Sequence, residues 1–312
     1  MAARSLGVAV VLVGKADLIQ AELARFGDAA TADKITVVDT PEWIEMGESP
    51  GCALRKKKQA SVVLAAKLVA QGKAQAMVSA GNSGAAMGAA VLHMGTMPGV
   101  ERPAIALVLP TQAGGEFILL DAGATVDCHP KNLVDFAHMG VAYASCRMGL
   151  EQPRVGLLGI GEEPKKGNLL ARNAYELLQV DQLNFVGNIE PNGMFHGEAD
   201  VIVCDGFVGN IALKTMEGFG ELTIRLLLGQ SSDKTASDQT LLARIQRARQ
   251  RLDWTEYGGA LLLGVKGLCI ISHGRSTPTA IARAIQAGKV AAEKQVIGSV
   301  MQHFPQPVDA GQ

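Results

Sequence analysis

The stretch Asp200-Val-Ile-Val-Cys-Asp-Gly-Phe-Val-Gly-Asn210 carries the pattern from which the fold can be predicted. An apolar, strand-like run ends at Asp205, a turn with two glycines follows, and residues 210–228 continue with helical periodicity. Such a turn gathers free backbone N–H groups at the positive end of a helix dipole, and glycine lets an anion approach them closely. The stretch therefore predicts a strand and a helix joined by a turn that suits an anion.

The same succession of strand, glycine-rich turn and helix occurs three more times along the chain. The three turns are Ser79-Ala-Gly-Asn-Ser-Gly84, Gly159-Ile-Gly-Glu-Glu-Pro-Lys-Lys-Gly-Asn168 and Ser272-His-Gly-Arg-Ser-Thr-Pro278. Strands are predicted at residues 8–13, 35–38, 76–79, 104–109, 116–121, 154–159, 184–187, 200–205 and 268–272. Helices are predicted at residues 18–26, 50–71, 84–93, 131–149, 168–179, 210–228 and 279–302. This alternation predicts an α/β fold with a mainly parallel sheet covered by helices on both faces.

Ligands of such sheets bind beyond the carboxyl ends of the strands, and all four turns are expected there. We expect a single domain over residues 1–312, with residues 229–259 as a helical insertion because a polar run interrupts the alternation. Within the insertion, residues 240–254 have an amphipathic pattern with leucines near one face and arginines on the others. This pattern indicates either a surface helix packed on protein or a basic helix that touches anionic lipid.

Composition excludes several functional classes. Hydrophobic residues make up 48% of the chain, enough for a sizeable core, and the net charge of −1 gives no reason to expect a nucleic-acid partner. The five cysteines form no CxxC motif, which favours reduced thiols and a cytoplasmic location. The six histidines have no HxxxH spacing, so no metal site is expected. GxGxxG and GxxxxGK[ST] motifs are absent, so we expect neither a dinucleotide cofactor nor a P-loop.

The polar residues of the turns are the candidate site. Four of them are candidate catalytic groups, because they could stabilise an anion or protonate a leaving group: Lys165, Lys166, Asn210 and His273. The candidate ligands of phosphate or substrate are Gly81, Asn82, Ser83, Gly84, Asp121, Gly161, Gly167, Asn168, Asp205, Gly206, Gly209 and Lys214. Each has a structural alternative, such as an ordinary helix N-cap for Asn82 or solvated side chains for the two adjacent lysines.

Apart from Asp121 and Asp205, these residues offer hydrogen-bond donors or positive charge, and no GxSxG elbow supplies a nucleophile. The set therefore suits direct attack by a bound phosphate, a reaction that needs positioning and charge stabilisation more than covalent catalysis.

Taken together, the segments resemble the bacterial phosphate acyltransferases of glycerolipid synthesis along residues 8–301. The matching segments are Arg55-Lys-Lys57, Ser79-Ala-Gly-Asn-Ser-Gly84, Arg102-Pro103, Leu120-Asp-Ala-Gly-Ala124, Gly161-Glu162, Lys165-Lys-Gly-Asn168, Asp205-Gly-Phe-Val-Gly-Asn210, Tyr257-Gly-Gly259 and His273-Gly274. The resemblance implies transfer of a long-chain fatty acyl group from acyl carrier protein to inorganic phosphate, giving acyl phosphate for phospholipid synthesis. It also implies an α/β/α fold similar to phosphotransacetylases and isocitrate-type dehydrogenases, a homodimer, and peripheral membrane contact through residues 240–254.

The chain departs from the family pattern in two places. The family normally begins with a further strand, an Asp-x-Met-Gly-Gly-Asp-like segment and a helix ahead of the strand at residues 8–13, and Thr125 stands where the pattern has asparagine. A start codon placed too far downstream is the simpler explanation of the first departure. Two alternatives remain open: a short-chain phosphate acetyl- or butyryltransferase that uses coenzyme A, and a membrane-associated scaffold with impaired catalysis.

Overall fold

A computed structural model describes residues 2–25, 34–229 and 258–305. Its strands are β1 (Val10–Gly14), β2 (Ile35–Asp39), β3 (Ala76–Ser79), β4 (Ala104–Pro110), β5 (Glu116–Leu120), β6 (Arg154–Leu158), β7 (Asn184–Ile189), β8 (Val201–Val203), β9 (Ala260–Leu263) and β10 (Leu268–Ile271). Its helices are α1 (Ala2–Ser5), α2 (Ala16–Arg25), α3 (Pro50–Lys56), α4 (Ser61–Ala70), α5 (Ser83–Met94), α6 (Pro130–Met148), α7 (Leu169–Val180), α8 (Gly206–Gly229), α9 (Pro278–Glu293) and α10 (Val296–His303). A short 3-10 helix spans Gly193–His196.

The chain forms two compact units, residues 1–103 with 258–312 and residues 104–257. In the first unit, β1 pairs with β2 in parallel, and β10 pairs in parallel with β3 and antiparallel with β9. Helix α9 packs on β3 and β10, and α4 packs on β1 and β3. Strand β9 was not predicted from the sequence.

The described residues of the second unit form five strands in the order β4-β5-β8-β6-β7. Within these five strands, β4 and β5 are antiparallel and the other neighbours are parallel. Helix α6 packs on β5 and β8, α7 on β7, and α8 on β5. Residues 117–120 of β5 are fully buried, as in a sheet covered on both faces. The α/β class with a mainly parallel sheet is confirmed.

Two predicted helices are each divided in the structure. The helix predicted at residues 50–71 is α3 and α4, because the backbone of Gln59 is bonded elsewhere: its N–H donates to Glu42 Oε2 (3.0 Å) and its C=O accepts from Thr40 Oγ1 (2.5 Å). The helix predicted at residues 279–302 is α9 and α10, because Gln295 takes a left-handed conformation with φ 51°. Both predictions of one continuous helix were wrong.

The prediction of a single domain over residues 1–312 stays a prediction. Of the predicted insertion at 229–259, residues 230–257 lie outside the described residues, and so does the amphipathic segment 240–254. Within the described part of the chain, no helix is both long and apolar enough to cross a membrane.

Candidate functional site

In each unit, the polar turns predicted from the sequence follow the carboxyl ends of strands. Of the four predicted turns, those after β6 and β8 lie in the second unit, which also contains the candidate Asp121 directly after β5, and those after β3 and β10 lie in the first. Strands β3 and β10 are parallel neighbours, and so are β5, β8 and β6, so the turns of each unit lie at one sheet edge. The prediction that the polar residues of the four turns form one site stays a prediction.

Asp121, directly after β5, holds its own loop together. Its carboxylate is fully buried and accepts hydrogen bonds from four backbone N–H groups, those of Ile105 (2.8 Å), Gly123 (3.0 Å), Ala124 (2.9 Å) and Thr125 (2.6 Å). Burial raises the pKa of this carboxyl to about 6, while the four N–H donors act in the opposite direction. The Asp121 side chain is therefore a structural centre whose acceptor capacity is already in use.

The start of α8 packs directly against this loop. A Cβ atom on Gly206 would lie 2.6 Å from Asp121 Oδ2, and one on Gly209 would overlap the Asp121 carbonyl oxygen. The first N–H groups of α8 also have acceptors, since Gly206 donates to Thr125 O (2.8 Å), and Phe207 and Val208 donate to Asp205 Oδ1. In this turn the glycines make room for the protein's own backbone, and Asp205 is the helix N-cap.

Asn210 and Lys214 follow one turn apart on α8. Asn210 is exposed, and its side chain lies beside Gly123, where an added Cβ would be 3.4 Å from Asn210 Cβ. Lys214 is about half exposed and forms an ion pair with Glu217 (2.8 Å). Exposed pairs of this kind contribute little to stability, so the Lys214 ammonium can exchange its partner at little cost.

The loop between β6 and α7 is the most open of the turns. Lys165 and Lys166 are both exposed, and Lys166 Nζ lies 4.0 Å from Glu163 Oε1. Asn168 caps α7 by accepting from Ala171 N (2.8 Å), while the N–H groups of Leu169 and Leu170 have no acceptor among the described residues. Gly167 has φ +103°, which a side chain would strain. Two free amides and two ammonium groups therefore meet at a helix N-terminus, an arrangement that attracts anions.

Asn188, a residue that the sequence analysis missed, supports this loop from the end of β7. It is buried and donates from Nδ2 to Glu163 O (2.9 Å). A polar side chain at the carboxyl end of an apolar strand was the available signal. Gly161 contributes as well, since an added Cβ would lie 2.9 Å from Glu163 Oε2 and 3.2 Å from Lys166 Cγ. Together they fix the backbone from which both lysines project.

In the first unit, Asn82 has the predicted position but a structural role. Its Oδ1 accepts from Ala85 N (3.0 Å) and caps α5, while Nδ2 donates to the carbonyl oxygens of Glu45 (3.1 Å), Met46 (3.3 Å) and Glu48 (3.0 Å). The Asn82 amide is therefore fully engaged. The neighbouring N–H groups of Ser83 and Gly84 have no acceptor in the described ranges. Gly81 is exposed beside them.

His273 follows β10, the strand next to β3. Its Nδ1 accepts from Arg275 N (3.1 Å), which places the proton of the neutral ring on Nε2. The ring is partly exposed, and Ser272 N donates to Ser79 O (2.8 Å), which ties this turn to the one that precedes Asn82. The Nε2–H group of His273 is thus a fixed donor at the same sheet edge as the free amides of α5.

Each unit contains a concave region. In the second unit, an almost wholly apolar cavity of about 390 Å³ lies between the starts of α7 and α8. In the first unit, a groove of about 900 Å³ is lined by β1, β3 and the turn at Asn82. Each of these strands pairs on one side only among the described residues, so backbone groups of two strand edges form part of the groove wall.

Among the described residues that line the cavity and the groove, no cysteine can act as a nucleophile. Cys204 lies in the lining of the second unit's cavity, but burial raises the pKa of its thiol well above its ordinary value. The thiol therefore stays protonated, and the site offers donors and positive charge.

Comparison with known proteins identifies the family to which the chain is similar. The profile of a family described as "Fatty acid synthesis protein" matches residues 1–299. A curated phosphate acyltransferase from Heliobacterium modesticaldum is 45% identical over 311 residues, which cover 99% of this chain and 92% of the relative. Another phosphate acyltransferase, from Nostoc punctiforme, is 44% identical over 97% of this chain and 90% of its own length.

Solved structures share the fold. A branched-chain phosphotransacylase from Enterococcus faecalis is similar with a TM-score of 0.57 and 15% identity, covering 93% of this chain and 99% of that one. A phosphotransacetylase from Streptococcus pyogenes has a TM-score of 0.54, also at 15% identity, over 93% of this chain and 84% of its own. At this identity the likeness concerns the fold alone, and it agrees with the predicted α/β class.

Proposed function

The chain belongs to the phosphate acyltransferase family, and from this premise we propose that it transfers a long-chain fatty acyl group from acyl carrier protein to inorganic phosphate. The enzyme is a transferase of acyl groups, and its family places it in fatty acid and phospholipid synthesis. The carrier-protein donor and the long chain are the parts that we propose.

The reaction needs no enzyme nucleophile. A phosphate oxygen attacks the thioester carbonyl carbon, a C–O bond forms, and the carbonyl oxygen becomes an oxyanion. When the oxyanion collapses, the C–S bond breaks and the carrier thiolate leaves and takes up a proton. Both the attacking phosphate and the oxyanion are negative, so fixed N–H groups and cations lower the barrier.

One observation carries the proposal: the free N–H groups of Leu169 and Leu170 lie at the start of α7, directly after Lys165 and Lys166 in the chain. We assign anion stabilisation to the two lysines and to these amides. Asn188 and Gly167 act as positioning residues, because they fix the loop that carries the lysines. Removing one donor to an oxyanion typically lowers kcat by about 100- to 1,000-fold.

We assign phosphate binding and proton donation to groups in the turns of the first unit. Because the Asn82 amide is engaged, we assign phosphate binding there to the N–H groups of Ser83 and Gly84, with Asn82 as the residue that positions them. His273 Nε2–H is our candidate donor to the departing sulfur, since Nδ1 already accepts a hydrogen bond. Asn210, exposed on α8, is a further candidate donor.

The resemblance also supports a homodimer in the cytoplasm with peripheral membrane contact through residues 240–254. The described end of α8, which leads towards this segment, carries exposed apolar side chains: Phe219 is 69% exposed, Leu222 51% and Leu226 58%. These residues recur at helical spacing, so they form one apolar stripe. A second protomer or a lipid surface is the kind of partner that such a stripe fits.

The experiment measures kcat/KM for phosphate-dependent thiol release from a 16-carbon acyl carrier protein, the same acyl group on coenzyme A, and acetyl-coenzyme A. We expect the acyl carrier protein to be the best substrate. A preference for acetyl-coenzyme A would favour the short-chain alternative. Liposome binding without release from any donor would favour the scaffold alternative and contradict the proposal.

A further inference from the structure

The apolar cavity of the second unit has a size and an environment that the reaction at the loop does not explain. Its floor contains Leu133, Leu157 and Met194, each at most 2% exposed, and its walls come from α7 and α8. From the N-cap Asp205 to Met216 the lining follows α8 for about 16 Å at 1.5 Å per residue. A cavity this apolar binds hydrocarbon rather than a polar ligand.

We propose that this cavity holds the hydrocarbon tail of the acyl donor and measures its length. The inference rests on the proposed function, since it assigns the tail of that substrate to a place next to the reacting loop. The volume of the cavity sets the limit on the length of the hydrocarbon tail. A cavity of about 150 Å³ accommodates benzene, or roughly 25 Å³ per carbon, so 390 Å³ accommodates a chain of about 16 carbons.

The cavity also has the polarity that an acyl thioester requires. Most of its polar lining lies at one end, where Gly159, Gly167, Asn168 and Asp205 follow β6 and β8 or precede the two helices, and Thr215 lies further along α8. Lys165 and Lys166 belong to the same loop as Gly167. A tail inside the cavity would therefore place its carboxyl end beside the groups that stabilise anions.

Exposed apolar side chains near the starts of the two helices support this orientation. Ile160 is 78% exposed and Ile211 is 51% exposed, and both line the cavity. Large apolar groups left in water beside an apolar cavity are typical of a binding site for an apolar ligand. Met194 and Met216 in the lining can adapt to a flexible chain.

Two substitutions should change the length limit in opposite directions. Ala212→Phe adds a benzene-sized ring to the wall and leaves room for about 10 carbons, whereas Met216→Ala removes three heavy atoms and adds room for about 3 carbons. We would measure kcat/KM on acyl carrier protein thioesters of 8 to 20 carbons. For Ala212→Phe we expect a loss of about 100-fold with the 16-carbon donor, within the range for an excess methylene in a hydrophobic pocket, and less than about threefold change with 8 carbons.

The matched control is Glu221→Phe, which places the same ring on the opposite face of α8, outside the cavity lining. Its length profile should equal that of the wild type. If both cavity variants also keep the wild-type profile, the inference is overturned. If Ala212→Phe does not fold, the length profile of Met216→Ala alone tests the inference.

Failure of the proposed function would look different. If the wild type forms no acyl phosphate from any donor, binding of a fluorescent 16-carbon fatty acid is measured without turnover. Binding that Ala212→Phe weakens at least tenfold, and Glu221→Phe does not, still assigns the cavity to an apolar tail. Equal binding by all three proteins overturns the assignment.

Discussion

Replacing Gly209 with alanine should destabilise the protein, whereas the same replacement at Gly218, nine residues further along α8, should stabilise it. A Cβ on Gly209 would overlap the Asp121 carbonyl oxygen and lie 2.9 Å from its carbon and 3.0 Å from Cys204 Sγ. A Cβ on Gly218 would meet no heavy atom within 4 Å. The two positions share a helix and differ in what surrounds them, so each is a control for the other.

The magnitudes follow from two opposing effects. Alanine in a helix interior gains about 0.5–1 kcal/mol over glycine, and at Gly218 this gain should appear undiminished. At Gly209 the extra methyl group forces a shift, and overpacking of this kind costs about 1–3 kcal/mol. The obstacle there is backbone held by the hydrogen bonds of Asp121, so we expect the upper part of that range. The free energies of unfolding of the two variants should then differ by about 2–3 kcal/mol.

Urea denaturation followed by circular dichroism measures this difference. The midpoint should fall for Gly209→Ala and rise for Gly218→Ala, with similar slopes if both variants unfold in the same way. Equal midpoints, or a more stable Gly209→Ala, would refute the close approach of α8 to the loop after β5.

Three further predictions concern the site. Asn82→Asp keeps the cap acceptor of α5 but replaces the Nδ2 donor with an oxygen that faces three carbonyl oxygens. Thermal denaturation should therefore show that the free energy of unfolding falls by about 2–3 kcal/mol. Because the new oxygen repels the three carbonyl oxygens, this loss should exceed that of Asn82→Ala. Lys165→Ala should lower kcat/KM for phosphate by about 100-fold, because it removes a cation that stabilises the anion. The control Arg172→Ala, which removes an exposed cation of α7, should change kcat/KM less than about threefold. Equal effects of the two variants would contradict the role of Lys165 in anion stabilisation. Asp121 has a folded-state pKa raised from 3.8 to about 6, so its contribution to stability is complete below pH 4 and is lost as pH rises to 6. Relative to Asp121→Asn, the wild type should lose up to about 3 kcal/mol over that interval, and parallel pH profiles of the two proteins would contradict this.

Most of the strands and helices could be predicted because their signals are local. The alternation of apolar runs and helical periodicity placed β3 at the residues observed and β5, β6 and β10 within one residue at either end. The division of the helix at residues 50–71 could not be predicted, because it depends on bonds from Thr40 and Glu42 to Gln59. Strand β9 has only four residues and lies next to a stretch where the alternation fails.

The positions of the turns could be predicted from the sequence, whereas the roles of their residues in a site stay predictions. Glycines in the turn after β8 suggested room for an anion, yet Gly206 and Gly209 make room for the loop at Asp121, which is 85 residues away from Gly206 in sequence. Likewise, an asparagine at a helix start has the same appearance whether its amide binds a ligand or, as in Asn82, holds a neighbouring loop. Only the spatial neighbours distinguish these cases. The side chains of Lys165 and Lys166 before α7 are exposed, so the structure leaves their candidate role available.

The most direct test of the central claim is to incubate the enzyme with 16-carbon acyl carrier protein and phosphate labelled with ¹⁸O at all four oxygens, and to analyse the product by mass spectrometry. Transfer to phosphate predicts acyl phosphate that carries all four labelled oxygens, together with one free carrier thiol for each acyl phosphate formed. Release of unlabelled fatty acid, or no release of the thiol, would contradict the claim.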